Sequence, residues 1–224
     1  MNICAYQSYF DVSQEKNLQE GFIWYFNPVA SLFLESDIII RLYKQYFPKC
    51  AGWFGLFSHS VSRKLNGFNY IRLEEACNQA ADADVLAPNP KNYSFCDYIR
   101  KPHPIRYTLE NKQYETFKAL LKKLKIKESL LKPSHMIYCN YFVAKTNIYE
   151  DYVNSLLKPA IDLFKNDEEL YSLVMRKSHY NNKVPPANYI KDTGLNYYTH
   201  APFILERLIN VYIQLNNCNV KRVL

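Results

Sequence analysis

The chain has 224 residues, enough to bury one sizeable core, and 48% hydrophobic with 22% charged residues excludes a disordered or fibrous polymer. Its net charge of +7 favours an anionic partner, for which a nucleotide sugar, a nucleic acid and an anionic membrane all qualify. No run approaches the ~20 apolar residues of a membrane-spanning helix, since Ile38-Ile39-Ile40 is cut by Asp37 and Arg41.

Residues 2–9 alternate and predict a first strand with Ile3 and Ala5 inward, followed by a polar helix start at 11–15. The N-terminus lacks a basic segment leading into an apolar one, so no secretory signal is expected and the chain is expected in the cytoplasm. Residues 30–46 carry Leu32, Phe33, Ile38, Ile39, Leu42 and Tyr43 at helical spacing and predict a helix broken before Pro48. Residues 52–57 predict a buried strand ending in the polar run Ser58-His59-Ser60-Val61-Ser62-Arg63-Lys64. A helix at 73–81 leads to a short strand at 84–88 that runs into Asn89-Pro90, and a loop containing Pro102 and Pro104 follows.

At 114–132, Lys118, Lys122, Lys123, Lys125 and Lys127 interleave with Phe117, Leu120, Leu121 and Leu124, which predicts a basic amphipathic helix. Such a helix either lies on an anionic membrane face or is a solvated lysine-rich surface. Residues 136–144 have the composition of a central strand, and a long amphipathic helix is expected from Asn147 with Pro159 as a kink or restart. Strands alternating with helices predict an α/β fold: a mainly parallel sheet with helices on both faces and ligands at the carboxyl ends of its strands.

The chain closes on an apolar helix with Thr199 or His200 as its cap and Pro202 in its first turn. Ile204, Leu205, Leu208, Val211, Tyr212 and Leu215 form its apolar stripe, leaving Glu206, Arg207, Asn210 and Gln214 on the other face. Near a helix N-terminus the macrodipole favours an ionised Glu206, which is then placed to accept a proton; in the plainer reading it only complements the dipole and Arg207 is solvated.

Several chemistries lack their signatures. The five glycines form neither GxGxxG nor GxxxxGK[ST], and there is no GxSxG or HExxH. The six cysteines (Cys4, Cys50, Cys77, Cys96, Cys139, Cys218) show no CxxC pair and read as buried thiols. The histidines (His59, His103, His135, His179, His200) are far apart in sequence. Asp82-Ala83-Asp84 has the spacing that can hold a divalent cation, but it precedes its strand, which favours a helix-to-strand turn.

Five segments in order, around residues 32–45, 52–59, 84–88, 138–152 and 203–208, resemble the bacterial glycosyltransferases of capsular and surface polysaccharide synthesis. The resemblance implies a glycosyltransferase-A-like Rossmann-type domain, with a nucleotide-binding half over roughly 1–100 and an acceptor-binding half with the C-terminal helix over 101–224. It implies transfer of a sugar from a UDP- or GDP-linked donor to a glycan or lipid-linked acceptor, with peripheral contact to the inner membrane face open. In its terms Tyr6, Gln7, Tyr9, Ser58, His59 and Arg63 meet the donor, and Asn140 lines an acceptor pocket. Glu206 is the general base and His200 the alternative base or a phosphate contact. The Ser58-His59-Ser60 loop carries no Asp-x-Asp; His59, Arg63 and Lys64 are then expected to supply positive charge, while Asp82 and Asp84 leave a divalent metal open. A catalytically degenerate scaffold of the same fold is the alternative. Nucleic-acid binding is disfavoured, because the tyrosines fall along the whole chain within apolar segments.

Overall fold

The computed structural model describes residues 2–46, 50–65, 67–88, 109–131, 137, 139–178 and 184–223. Six strands form one sheet: β1 (Ile3–Tyr9), β2 (Ile23–Phe26), β3 (Trp53–Ser58), β4 (Val85–Pro88), β5 (Val143–Lys145) and β6 (Val220–Val223). Their order is β2-β1-β3-β5-β4-β6. β1 pairs in parallel with β2 and β3, and β4 with β6. β5 alone runs antiparallel, between β3 and β4, so the sheet is mixed, with its other five strands in one direction as a mainly parallel sheet requires.

The antiparallel strand comes from the segment expected as a strand over 136–144. Cys139 and Asn140 take left-handed φ values of 56° and 54°, which close a turn and leave a strand of three residues. Met136 and Tyr138 lie outside the described residues. Because this turn sits at the carboxyl edge of β3, the chain enters β5 against the direction of its neighbours. Gly55 permits the contact: a Cβ there would stand 2.5 Å from Val143 Cγ1 and 2.7 Å from the Phe142 carbonyl oxygen.

Every residue of β3 is buried, as expected for a strand covered on both faces. Phe54 and Leu56 face one apolar cluster; Trp53 and Phe57 face the other. The first cluster takes α1 (Glu35–Tyr46), α4 (Asn111–Lys123), α5 (Thr146–Tyr152), α6 (Lys158–Asn166), α9 (Ala201–Leu205) and α10 (Leu208–Leu215). The second takes α2 (Val61–Lys64) and α3 (Tyr70–Gln79). Two further helices, α7 (Glu168–Val174) and α8 (Ala187–Thr193), precede the closing pair.

α1 begins at Glu35 rather than residue 30, which puts that carboxylate in its first turn; Pro48 lies outside the described residues. A five-residue π-helical segment, Val153–Leu157, joins α5 to α6 just before Pro159, absorbing the missing proline N–H without ending the helix.

The basic helix α4 buries Phe117, Leu120 and Leu121 in the first core and turns Lys118, Lys122 and Lys123 to solvent. Its apolar side is therefore not available to insert into a membrane. Lys125, at φ 58°, terminates it; Lys132 lies outside the described residues. Among the described residues no helix is long and apolar enough to cross a membrane.

Cys4 and Cys50 form a disulfide between β1 and the approach to β3, correcting the expectation of six thiols. Cys77 is a buried thiol, pushed up to about 12 by desolvation and then by Glu74. Cys139 and Cys218 are half-buried thiols, and Cys96 lies outside the described residues. Asp82 and Asp84 form the expected turn. Lys221 Nζ stands 2.5 Å from Asp82 Oδ1, and the Asn219 N–H donates to Asp84 Oδ2 at 2.8 Å. Both carboxylates thus hold β6 at the amino edge of β4, the edge opposite the exits of β1 and β3.

Candidate functional site

Three parallel strands end side by side, and their exits are tied together. The His59 N–H donates to the Ser8 carbonyl at 2.8 Å, and the Asn27 N–H to the Tyr9 carbonyl at 2.7 Å. Beyond this edge lies a cavity of about 170 Å³. Tyr9, Phe10, Asn27, Ser58 and His59 supply its strand side, and Ser31, Leu34 and Glu35 lead into α1. Asn188, Tyr189 and Tyr198 close it from α8 and the segment behind. Asp192 of α8 accepts the Ala30 N–H at 2.7 Å, which holds the two walls together.

Of the expected donor residues, Tyr9, Ser58 and His59 line this cavity; Tyr6, Gln7 and Arg63 do not. Tyr6 points into the core, with its ring 5.6 Å from that of Phe54 and 5.9 Å from that of Tyr46. Strand alternation reaches one residue further than a loop reading allows and turns it inward. Gln7 is fully buried: its Oε1 accepts the Gln19 N–H at 2.8 Å and its Nε2 donates to the Ser58 carbonyl at 3.4 Å. It braces the loop after β1 instead of facing a ligand. Arg63 is exposed on α2.

Ser58 Oγ shares hydrogen bonds with Ser60 Oγ at 3.0 Å and with Tyr141 OH at 2.5 Å. Lys64 Nζ lies 5.3 Å from the centre of the Tyr141 ring. Desolvation opposes the ammonium form of Lys64, but Tyr141, Cys139 and Glu35 outweigh it and raise its pKa. His59 moves the other way: burial, then Lys64 and Arg63, hold it below its ordinary value, so the ring is neutral near pH 7. Burial and its two basic neighbours thus make His59 the least favoured carrier of the positive charge expected of this turn. The neutral ring stands edge-on to Phe10, with centroids 5.6 Å apart.

The closing helix is not continuous. The Arg207 N–H bonds the Ile204 carbonyl and the Asn210 N–H bonds that of Arg207, three-residue steps that break it between α9 and α10. Glu206 therefore caps the C-terminus of a five-residue helix, where the macrodipole opposes its charge. Its pKa is raised: desolvation dominates, Arg207 lowers it, and Glu35 adds to the rise. Arg207 is 2% exposed and meets Glu206 Oε2 at 3.2 Å, so it is buried rather than solvated. Asn210 is buried too, accepting the Ile137 N–H at 2.6 Å and donating to the Ile137 carbonyl at 3.0 Å.

Glu206 is absent from the cavity lining but lies within electrostatic range of Glu35, which is on it, and of Lys64 and Cys139. The strand exits and the acidic turn thus meet on one side of the molecule. His200 does not join them. It is 1% exposed, its N–H bonds the Val174 and Arg176 carbonyls, and its Nδ1 is 3.5 Å from Thr116 Oγ1. Asn140, 3% exposed and left-handed, holds a buried amide oxygen without a hydrogen-bond partner among the described residues. It lies off the cavity lining beside Tyr141. His103, His135 and His179 lie outside the described residues. Among the described residues no group of three His, Cys, Asp or Glu side chains could hold a metal ion.

Glu35, Phe10, Asn27, Asn188, Tyr189 and Tyr198 line the cavity without a motif that marks them. For Glu35 the usable signal was an acidic residue in the first turn of a helix, where the macrodipole favours it. No protein-family model, curated protein or solved structure matches this chain.

Proposed function

We propose that the protein is a glycosyltransferase of glycosyltransferase-A-like architecture, moving a sugar from a nucleotide-sugar donor to a glycan or lipid-linked acceptor. The observation that carries this reading is the cavity at the carboxyl exits of β1, β2 and β3, which gathers aromatic rings, amides and a carboxylate. Open α/β sheets bind ligands at that edge. Transfer needs a group to receive the acceptor hydroxyl proton and positive charge for the departing diphosphate. Carboxylates stand at the cavity in Glu35 and behind it in Glu206, and Lys64 with Arg63 supplies charge on the turn after His59.

The first test is ligand-dependent stability. A ligand held only by the folded chain stabilises it by about 2.7 kcal/mol when present at about 100 times its dissociation constant. Thermal unfolding with UDP and GDP, followed by assay of sugar release from their hexose conjugates, is expected to show a shift and turnover with one base. No shift and no release with either would overturn the reading. Oligonucleotide binding that weakens steeply with salt would put a nucleic-acid protein in its place.

A further inference from the structure

We infer that the cavity is the subsite for a neutral sugar ring of the acceptor, with Glu35, not Glu206, as the carboxylate that meets it. This deepens the transferase reading and rests on it for the chemical step, but the binding claim stands separately.

The lining carries the argument. Tyr9, Phe10, Tyr189 and Tyr198 present aromatic rings, Asn27 and Asn188 present amides, and Glu35 adds the one carboxylate among them. Among the described residues no lysine or arginine lines the cavity, and burial beside Lys64 and Arg63 disfavours the charged form of His59 on its wall. A diphosphate placed there would meet the Glu35 carboxylate directly, while two cations, Arg41 bonded to Asn27 Oδ1 at 2.8 Å and Lys64 within electrostatic range of Glu35, stand behind the lining. A sugar ring instead offers C–H faces to the aromatic rings and hydroxyls to the amides and carboxylate. Size agrees: about 170 Å³ falls below the roughly 300–1,000 Å³ of cavities that enclose a drug-sized ligand, so the enclosed space suits a single ring and leaves most of a nucleotide sugar outside it. The diphosphate then belongs outside, toward Lys64 and Arg63.

Glu35 suits the contact better than Glu206. It lies in the first turn of α1, is half-buried, and has no hydrogen bond or ion pair among the described residues. Glu206 is engaged by Arg207 and set back from the lining. In a single displacement the acceptor oxygen forms its bond to the anomeric carbon as its proton passes to a Glu35 oxygen. The bond from that carbon to the diphosphate oxygen breaks, its electron pair leaving with the nucleotide. Glu206 and Arg207 act as positioning residues behind the reacting carboxylate.

Three measurements on the whole chain test this, using Glu35→Gln and a panel of neutral methyl hexosides. A hexoside is expected to produce a thermal shift in the wild type, and E35Q to lose it. Transfer in E35Q is expected to fall 100-fold or more, the usual scale for losing a general base, while the nucleotide shift is kept. Transfer at the wild-type rate in E35Q overturns the assignment of Glu35 and leaves the transferase reading intact. Tighter nucleotide binding in E35Q places the diphosphate against this carboxylate and overturns the sugar subsite. If the wild type neither binds nucleotide nor transfers, the transferase reading falls. A hexoside shift abolished by E35Q would still support the subsite, and its absence would overturn that too.

Discussion

Arg207 shows how one side chain controls another at this site. With Glu206 set in a desolvated turn, the guanidinium 3.2 Å away opposes the rise in the carboxyl pKa. Because Glu206 titrates above its ordinary value in the folded protein, its stabilising contribution is complete below that ordinary value. It is lost as pH climbs through the raised one. Removing Arg207 widens the window, since the carboxylate would then be buried unpaired. Arg207→Met is expected to cost about 3–5 kcal/mol near pH 7. The deficit should shrink near pH 3, below the ordinary glutamate value, where Glu206 is protonated in folded and unfolded chains alike. Urea denaturation of both proteins at the two pH values checks this; a deficit independent of pH would show that Glu206 does not depend on Arg207. Glu206 and Arg207 were legible as a charged pair opening an apolar stretch. Their burial was not, because periodicity places residues around a helix but does not report that the helix breaks beneath them.

Among the elements, α4 separates core from surface most cleanly. Its lysines suggest an anionic partner, while Phe117, Leu120 and Leu121 already have one in the protein interior. Leu120→Ala is expected to cost about 2–5 kcal/mol in chemical denaturation, as for a buried leucine truncated against a close-packed neighbourhood. Lys118→Glu with Lys122→Glu on the exposed side should each stay within about 0.5 kcal/mol. Equal losses from both kinds of change would mean that the helix does not pack as described. The strong periodicity of α4 and the buried run of β3 made these elements readable. β2 and β6 were not read from the sequence; unlike the fully buried β4, neither holds a buried residue that an apolar pattern would mark. The segment before β5 misled for a different reason: its aromatic and β-branched residues measure fitness for a half-buried surface, and they masked Asn140, a residue type that tolerates the left-handed turn taken there.

At the scale of the molecule, the two sequence halves are not separate in space, because β5 from the second inserts between β3 and β4 from the first. That insertion brings Tyr141 to Ser58, and with it the turn holding Cys139 near Lys64 and Glu206. Sequence order exposed β1, β3 and β4 and the expectation of a ligand site at strand exits. It did not expose which helix starts cross that edge, and so it named Glu206 while passing over Glu35. The most direct measurement is a crystal structure grown with a nucleotide sugar and a methyl hexoside. The account predicts the hexoside ring among Tyr9, Phe10, Asn188 and Tyr198, within hydrogen-bond reach of Glu35, with the diphosphate toward Lys64. Nucleotide bound at the amino edge beside Asp82 and Asp84, with the β1–β3 exits left empty, would contradict it.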